Sequence, residues 1–405
     1  MPIDLAPAAR RRPARVLGLA FLVLGALGGG PRPAPAAPEE GRCGDAEIAA
    51  LLRPIREKAG VPALGGALVR LGQPTRAGVV GVRKAGDDTA ATVGDRWHLG
   101  SCTKAMTATL AEIVAAETKL DLDAPVKAAF PDVQLDAGWD AVTPRRWMAH
   151  RGGLETAYPR ALWSWLWKRE VDPRQQRTRI AKELLGAPPA RALDAGFKYS
   201  NSGFDLVGAA LERAMDQDFE TLAATRLFAP LGMTSAAFGP PGAPDVVDQP
   251  WGHRRRGDTL VPLAPTLDAD NPPSLSPAGR AAMTLEDWGR FVALHLGNVV
   301  TVKRPGREAL PLLSPDALAR LHTPAPGEDY VGGWKVTKRG WSKGPVLTHA
   351  GSNTMWFCVC WLAPEEGFAV LAVTNVAGPD AEKACDQVAG ALIGLAREPV
   401  AAPAK

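Results

Sequence analysis

The segment Trp97-His98-Leu99-Gly100-Ser101-Cys102-Thr103-Lys104 runs directly into Met106, Leu110, Ile113 and Val114, apolar residues at helical spacing. That period predicts an amphipathic helix that buries one face. Residues three apart on such a helix project from the same side, so Lys104 stands beside Ser101 at the helix start. A serine hydroxyl is a poor nucleophile at neutral pH, and an adjacent neutral amine can take its proton as it attacks. The amine must first shed its own proton, which desolvation and the positive helix end both favour. Ser-x-x-Lys alone is a weak signal, because most such tetrapeptides merely begin a helix. This one is unique in the 405 residues.

Toward the N terminus, Arg10, Arg11, Arg12 and Arg15 precede an apolar run from Val16 to Leu27, and Ala34-Pro35-Ala36 offers small residues for cleavage. Residues 1–36 thus have the layout of a secretory signal peptide, with an apolar run too short for a stable membrane span. The expected location is exported, periplasmic or secreted, with membrane association only if this segment stays uncleaved. It holds five arginines and one aspartate, a net charge equal to the +4 of the whole chain. The remainder is formally neutral, which argues against a nucleic-acid partner. With 46% hydrophobic residues the chain can bury a large core. No C-x-x-C pair occurs among the five cysteines, and Cys358 and Cys360 alternate in an apolar, strand-like run, so no metal site is expected. Cys102 reads as a small buried packing residue. Cys43 and Cys385 are candidates for a disulfide in an oxidising compartment.

Asp45 predicts the cap of a first helix carrying Ile48, Leu51, Leu52 and Ile55 on one face and ending at Gly60. Residues 64–70 and 77–82 read as strands. From Ser101 to about Phe238 the signals are mainly helical, with Pro144 at one helix start and further helices over 161–168, 203–213 and 219–228. Residues 239–277 are dense in Pro, Gly and Asp and mark a connection. Thr284 predicts a helix cap ahead of a buried face of Trp288, Phe291, Val292 and His295, the last read as a packed core histidine. Apolar runs at 331–337, 346–349, 355–362 and 368–374 predict antiparallel strands, and a last helix covers 381–396. Strands at both ends and helices between them give an α/β (α+β) fold: an antiparallel sheet flanked by N- and C-terminal helices, with an inserted helical domain. The expected division is 43–100 and 265–397 for the two parts of the sheet domain and 101–264 for the helical domain, with a cleft at the boundary.

Two further motifs stand out. Tyr199-Ser200-Asn201, the only Tyr-x-Asn in the chain, lies in a predicted loop just before the helix at Gly203. A phenol near a lysine ionises more easily and can act as a base, and an asparagine amide can bond both a substrate carbonyl and the lysine. Taken alone, Tyr199 would be a partly buried aromatic. His349-Ala350-Gly351 closes a strand before Ser352-Asn353, and glycine there lets the backbone approach a ligand.

In order and spacing these three motifs resemble the S-x-x-K, Y-x-N and K/H-[TS]-G series of the serine β-lactamase and penicillin-binding-protein family. The branch is that of class C β-lactamases, D-alanyl-D-alanine carboxypeptidases and related esterases. Met148-Ala149-His150-Arg151-Gly152-Gly153-Leu154, Leu120-Asp121-Leu122-Asp123-Ala124-Pro125-Val126 and Phe228-Ala229-Pro230-Leu231-Gly232-Met233 are similar to further family segments. The likeness runs from about Ile48 to Leu395. It implies the β-lactamase/transpeptidase-like fold and an acyl-enzyme mechanism without metal or cofactor. Ser101 is then the nucleophile, with Lys104 and Tyr199 sharing the proton traffic. Asn201, His349, Gly351 and Ser352 line the substrate site, and the N–H groups of Ser101 and Ser352 form an oxyanion hole. In this family the first and last helices pack side by side, which implies a disulfide between Cys43 and Cys385.

Departures from the family pattern bear on substrate. His349 stands in place of lysine, and Ala350 replaces a Thr or Ser whose hydroxyl helps hold a substrate carboxylate. Carboxylate recognition is therefore expected to be weak. Trp163 and Trp167 share one helical face and read as core packing rather than a hydrophobic lid. The expected function is that of an exported serine hydrolase acting on ester or amide substrates, small molecules or peptides. D-amino-acid peptides, β-lactams and cell-wall fragments are the candidates. The rival is a slow penicillin- or peptidoglycan-binding sensor that is acylated without turnover.

Overall fold

Asp45 opens the fold as its position predicts, with Oδ1 accepting the Ile48 N–H at 3.1 Å, and Gly60 in left-handed backbone closes the helix. A computed structural model describes residues 44–257, 259–303 and 308–398. The signal-like segment 1–36 and Cys43 lie outside the described residues. Five helices matter most: α1 (Ala46–Ala59), α2 (Thr103–Glu117), α3 (Asn201–Met215), α4 (Leu285–His295) and α5 (Pro379–Arg397). No described helix is long and apolar enough to cross a membrane.

The strands β1 (Ala63–Arg70), β2 (Arg76–Gly81), β3 (Tyr330–Val331), β4 (Trp334–Thr337), β5 (Val346–Ser352), β6 (Phe357–Ala363) and β7 (Phe368–Thr374) form one sheet. Its order is β3-β4-β5-β6-β7-β1-β2, antiparallel at every pairing. Early and late parts of the chain meet at β1 and β7, where Leu64 stands opposite Thr374 and Arg70 opposite Phe368. Strand β7 is buried along its whole length because helices cover both sheet faces. On one face Ile48 and Leu52 of α1 and Val388 and Leu392 of α5 pack against Leu68 and Val370. On the other, Leu285, Trp288, Phe291 and Val292 of α4 join Val79 and Leu371 in the main core. Each fully buried side chain of this size contributes about 1.5–3 kcal/mol, so a charge at Val388 would break the α5 contact.

Three expectations need correction. Residues 331–337 do not form one strand: Gly332 and Gly333 take φ values of 54° and 81° and fold the run into a β3–β4 hairpin. Helix α2 does not bury a single face, since every residue from Thr103 to Val114 is buried. Its polar side is satisfied internally: Thr107 Oγ1 donates to Pro277 O at 2.7 Å, and Glu112 accepts from Arg145 at 2.7 Å and Arg320 at 2.8 Å. Asn201 is not in a loop, because Ser200 in extended backbone is the cap and Asn201 the first residue of α3. The connection expected over 239–277 also contains a hairpin, Gly252–Arg256 with Thr259–Leu263.

Candidate active site

Ser101 occupies the tight turn Gly100–Cys102 that leads into α2. Two glycines let this turn lie against β5. A Cβ on Gly100, whose φ is +46°, would sit 2.3 Å from Ser352 N, and one on Gly351 would sit 2.0 Å from Leu99 O. Any side chain at either position would force the two backbones apart, and with them the amides of Ser101 and Ser352.

Around the Ser101 hydroxyl the side chains converge from α2 and from the segment that leads into α3. Tyr199 OH donates to Ser101 Oγ at 2.7 Å, and Lys104 Nζ reaches the same oxygen at 3.3 Å. The ammonium of Lys104, fully buried, also donates to Asn201 Oδ1 at 2.8 Å and Ala278 O at 2.6 Å. Its three donors are thereby used. It lies 4.7 Å from the centroid of the Tyr199 ring. Two donors aimed at one oxygen suit the alkoxide that forms during attack, and the proton leaves through whichever of the two groups is deprotonated.

His349 points into the same cluster and is buried. Its Nδ1 lies 2.6 Å from Ala350 O and its Nε2 2.9 Å from Tyr330 OH, so the Nδ1–H tautomer donates to the carbonyl and accepts from the phenol. Burial, reinforced by the charge of Lys104, lowers its pKa to about 4, and the imidazole is neutral at pH 7. His150 packs its ring 4.3 Å from Tyr199 and 4.7 Å from Tyr330, while its Nδ1 accepts the Ser200 N–H at 3.1 Å. Burial, then Lys104 and His349, hold its pKa at about 2. The nucleophile thus faces one cation, Lys104, and a wall of neutral rings. Ala350 and Ser352 are exposed along β5, and Phe197, 44% exposed, packs 5.5 Å from Tyr330.

Ser101, Lys104, Tyr199 and Asn201 are joined by direct hydrogen bonds, and His349, Gly351 and Ser352 line the adjoining strand. Tyr330 lies just ahead of the strand predicted over 331–337, where nothing local marks it as part of the site; the Gly332-Gly333 pair is the signal for the hairpin that places it. His150 lies within the family-like segment 148–154, and its left-handed backbone, φ 57°, is invisible in sequence. Trp163 packs against the core, whereas Trp167 is 38% exposed, so the core-packing expectation fails for the latter. Residue 167 lies just past the end of its helix, and its ring stands edge-on to Trp163 at 5.8 Å. Cys102 is buried with its sulfur 3.5 Å from that of Cys358. Cys385 is buried between α5 and the sheet, and its expected partner lies outside the described residues.

The Beta-lactamase family model matches residues 48–394, and the chain belongs to that family. Solved structures share the fold at low identity. A beta-lactamase/D-alanine carboxypeptidase from Pseudomonas syringae aligns with a TM-score of 0.68 and 18% identity, covering 87% of this chain and 100% of its own. D-amino acid amidase from Ochrobactrum anthropi SV3, complexed with L-phenylalanine amide, aligns with a TM-score of 0.66 and 19% identity over 87% of this chain and 100% of that one. The octameric penicillin-binding protein homologue from Pyrococcus abyssi has a TM-score of 0.65 and 19% identity, covering 86% and 77% respectively.

Proposed function

We propose that this β-lactamase-family serine hydrolase is an exported enzyme that cleaves esters and amides through an acyl-Ser101 intermediate, with no requirement for a substrate carboxylate. The carrying observation is the neutral imidazole of His349, capped by Tyr330, beside an alanine at 350. Ser101 Oγ attacks the carbonyl carbon while Tyr199 and Lys104 accept and relay its proton. The amides of Ser101 and Ser352 hold the oxyanion, a contribution of about 3 kcal/mol per donor. Asn201 orients the scissile group and the Lys104 amine. The leaving group takes the proton back, and water repeats the sequence on the acyl-enzyme. A β-lactam or D-alanyl peptide would find neither the third-motif hydroxyl nor a cation on β5. Losing a hydrogen bond to a charged group costs about 1.5–3 kcal/mol, or roughly ten- to a hundredfold in kcat/KM. The fold neighbour named as an amidase supports a carboxylate-free substrate class, and the arginine-rich, apolar layout of residues 1–36 supports export.

The test compares a short activated ester with a chromogenic cephalosporin. Ester turnover should dominate, and Ser101→Ala should remove both turnover and fluorophosphonate labelling. Cephalosporin rates equal to ester rates would overturn the substrate class. A stoichiometric burst without turnover would favour an acylated sensor.

A further inference from the structure

A buried cluster behind the nucleophile takes no part in the chemistry above. Asp270 sits at its centre, and His98, Arg280 and Asn353 surround it, all buried. Asp270 Oδ1 lies 3.0 Å from His98 Nε2 and accepts from Asn353 Nδ2 at 3.1 Å and Asn271 N at 2.8 Å, while Oδ2 accepts from Arg280 Nε at 2.9 Å. Each partner leads to a different part of the site. His98 Nδ1 accepts the Gly100 N–H at 3.2 Å, one residue before Ser101. Asn353 follows Ser352, and its Oδ1 accepts the N–H groups of Met355 and Trp356, both at 3.2 Å, which closes the turn between β5 and β6. That turn holds Thr354 at φ 76°, a strained conformation that needs outside support. Arg280 lies between Ala278, whose carbonyl accepts from Lys104, and Ala281, whose carbonyl accepts the Leu99 N–H at 2.8 Å.

We propose that Asp270 is a positioning residue that locks the Ser101 and Ser352 amides into a single oxyanion hole. Resting on the acyl-enzyme reading of Ser101, this assigns one carboxylate to three segments distant in sequence. Donors stabilise an oxyanion only when they are held in place before the charge forms, and the glycine contacts at Gly100 and Gly351 permit closeness without enforcing it. The 3.0 Å contact with His98 and the hydrogen bond from Asn353 enforce it. Burial alone would raise the Asp270 carboxyl; His98 and Arg280 outweigh it and hold the pKa below the usual carboxylate value, so the tether is charged at neutral pH.

The experiment uses the mature protein and the variant Asp270→Asn, with an activated ester and its thionoester as paired substrates. Sulfur accepts hydrogen bonds poorly, so a well-formed oxyanion hole prefers the ester. Asp270→Asn should lower ester kcat by about 10- to 100-fold with KM within about twofold, and the ester-to-thionoester ratio should fall about tenfold. Backbone amides of residues 98–102 and 352–356 should exchange hydrogen faster, and together. Should Asp270→Asn not fold, Asn353→Ser cuts one tether and should free residues 352–356 while leaving 98–102 protected. Unchanged kcat and ratio, or a lower melting temperature with an unchanged ratio, would overturn the proposal. A wild-type protein that neither labels at Ser101 nor cleaves esters would instead remove the acyl-enzyme reading. The exchange measurement still decides whether the two segments are tethered.

Discussion

Arg177, on the helix Pro173–Leu185, and Lys104, on α2, are both fully buried cations, and they are satisfied in opposite ways. Arg177 is enclosed by two carboxylates, with Nη2 donating to Glu212 at 2.6 Å and to Glu220 at 2.8 Å. Burial works against its charge, but Glu220 and Glu212 outweigh it and carry the pKa above the ordinary arginine value. The acceptors of Lys104 are an amide, a carbonyl and the reactive hydroxyl, all neutral. Asp205 is close enough to feel the charge of Lys104, yet it is engaged by a hydrogen bond from Tyr158. A buried cation with full counter-charge is a permanent part of the fold. One held by neutral dipoles can give up its proton without leaving a bare carboxylate behind, which is what a proton relay requires.

The largest contrast should come from deleting each arrangement. Lys104→Met should lower kcat/KM by about 10³- to 10⁴-fold while leaving the denaturant midpoint close to that of wild type, because the cost of a desolvated ammonium leaves with it. Loss of cooperative unfolding with retained activity per folded molecule would reverse the assignment. Next, Glu212→Gln should cost about 1.5–3 kcal/mol of stability, because it leaves Arg177 with Glu220 as its one counter-charge. Its kcat/KM per folded molecule should stay within about twofold, as measured by urea unfolding and active-site titration. A smaller effect is expected on β5 at position 350, where alanine supplies no hydroxyl beside the neutral His349. Ala350→Thr should raise kcat/KM for carboxylate-bearing substrates by about tenfold and leave neutral esters unchanged; equal gains for both would show that position 350 acts on the chemistry instead.

The last contrast is one of pH and concerns a carboxyl that feels the charges of both cations. Burial pushes Asp205 up to about 7, well above the usual carboxylate range, against the Tyr158 hydrogen bond and the charges of Lys104 and Arg177. The folded state therefore holds a proton that the unfolded state releases, and stability from this group falls as pH rises from about 4 to about 7, with a slope of at most about 1.4 kcal/mol per pH unit. His253, His322 and His349 are lowered by burial to about 4 and act with the opposite sign in much of that window. The readout is accordingly the difference between wild type and Asp205→Asn. A difference that does not change with pH would mean that Asp205 is ionised throughout.

Legibility of the site followed the reach of its interactions. Ser101 and Lys104 were readable together because a three-residue helical spacing is a local property, and Tyr199 and Asn201 because their motif is equally short. The replacement of lysine by His349 is legible, but what keeps the imidazole neutral, burial beside Lys104 with Tyr330 as partner, joins residues far apart in the chain. The same holds for α2. Its apolar period marked one buried face, and only the arrival of Pro277, Arg145 and Arg320 against its polar side buried the rest.

By itself the sequence determined the helix that carries the nucleophile, the identities of the groups able to move a proton, the absent hydroxyl at Ala350, and the strands that frame the fold. Hydrophobic period, capping residues and side-chain chemistry act over a few residues and need no partner to be read. The tertiary structure alone decided that Gly100 and Gly351 meet, that Tyr330 and His150 wall the site with neutral rings, and that Asp270 joins three segments at one carboxylate. Those outcomes depend on which distant backbones share a low-dielectric space, where every polar group must find its partner from whatever the fold brings near.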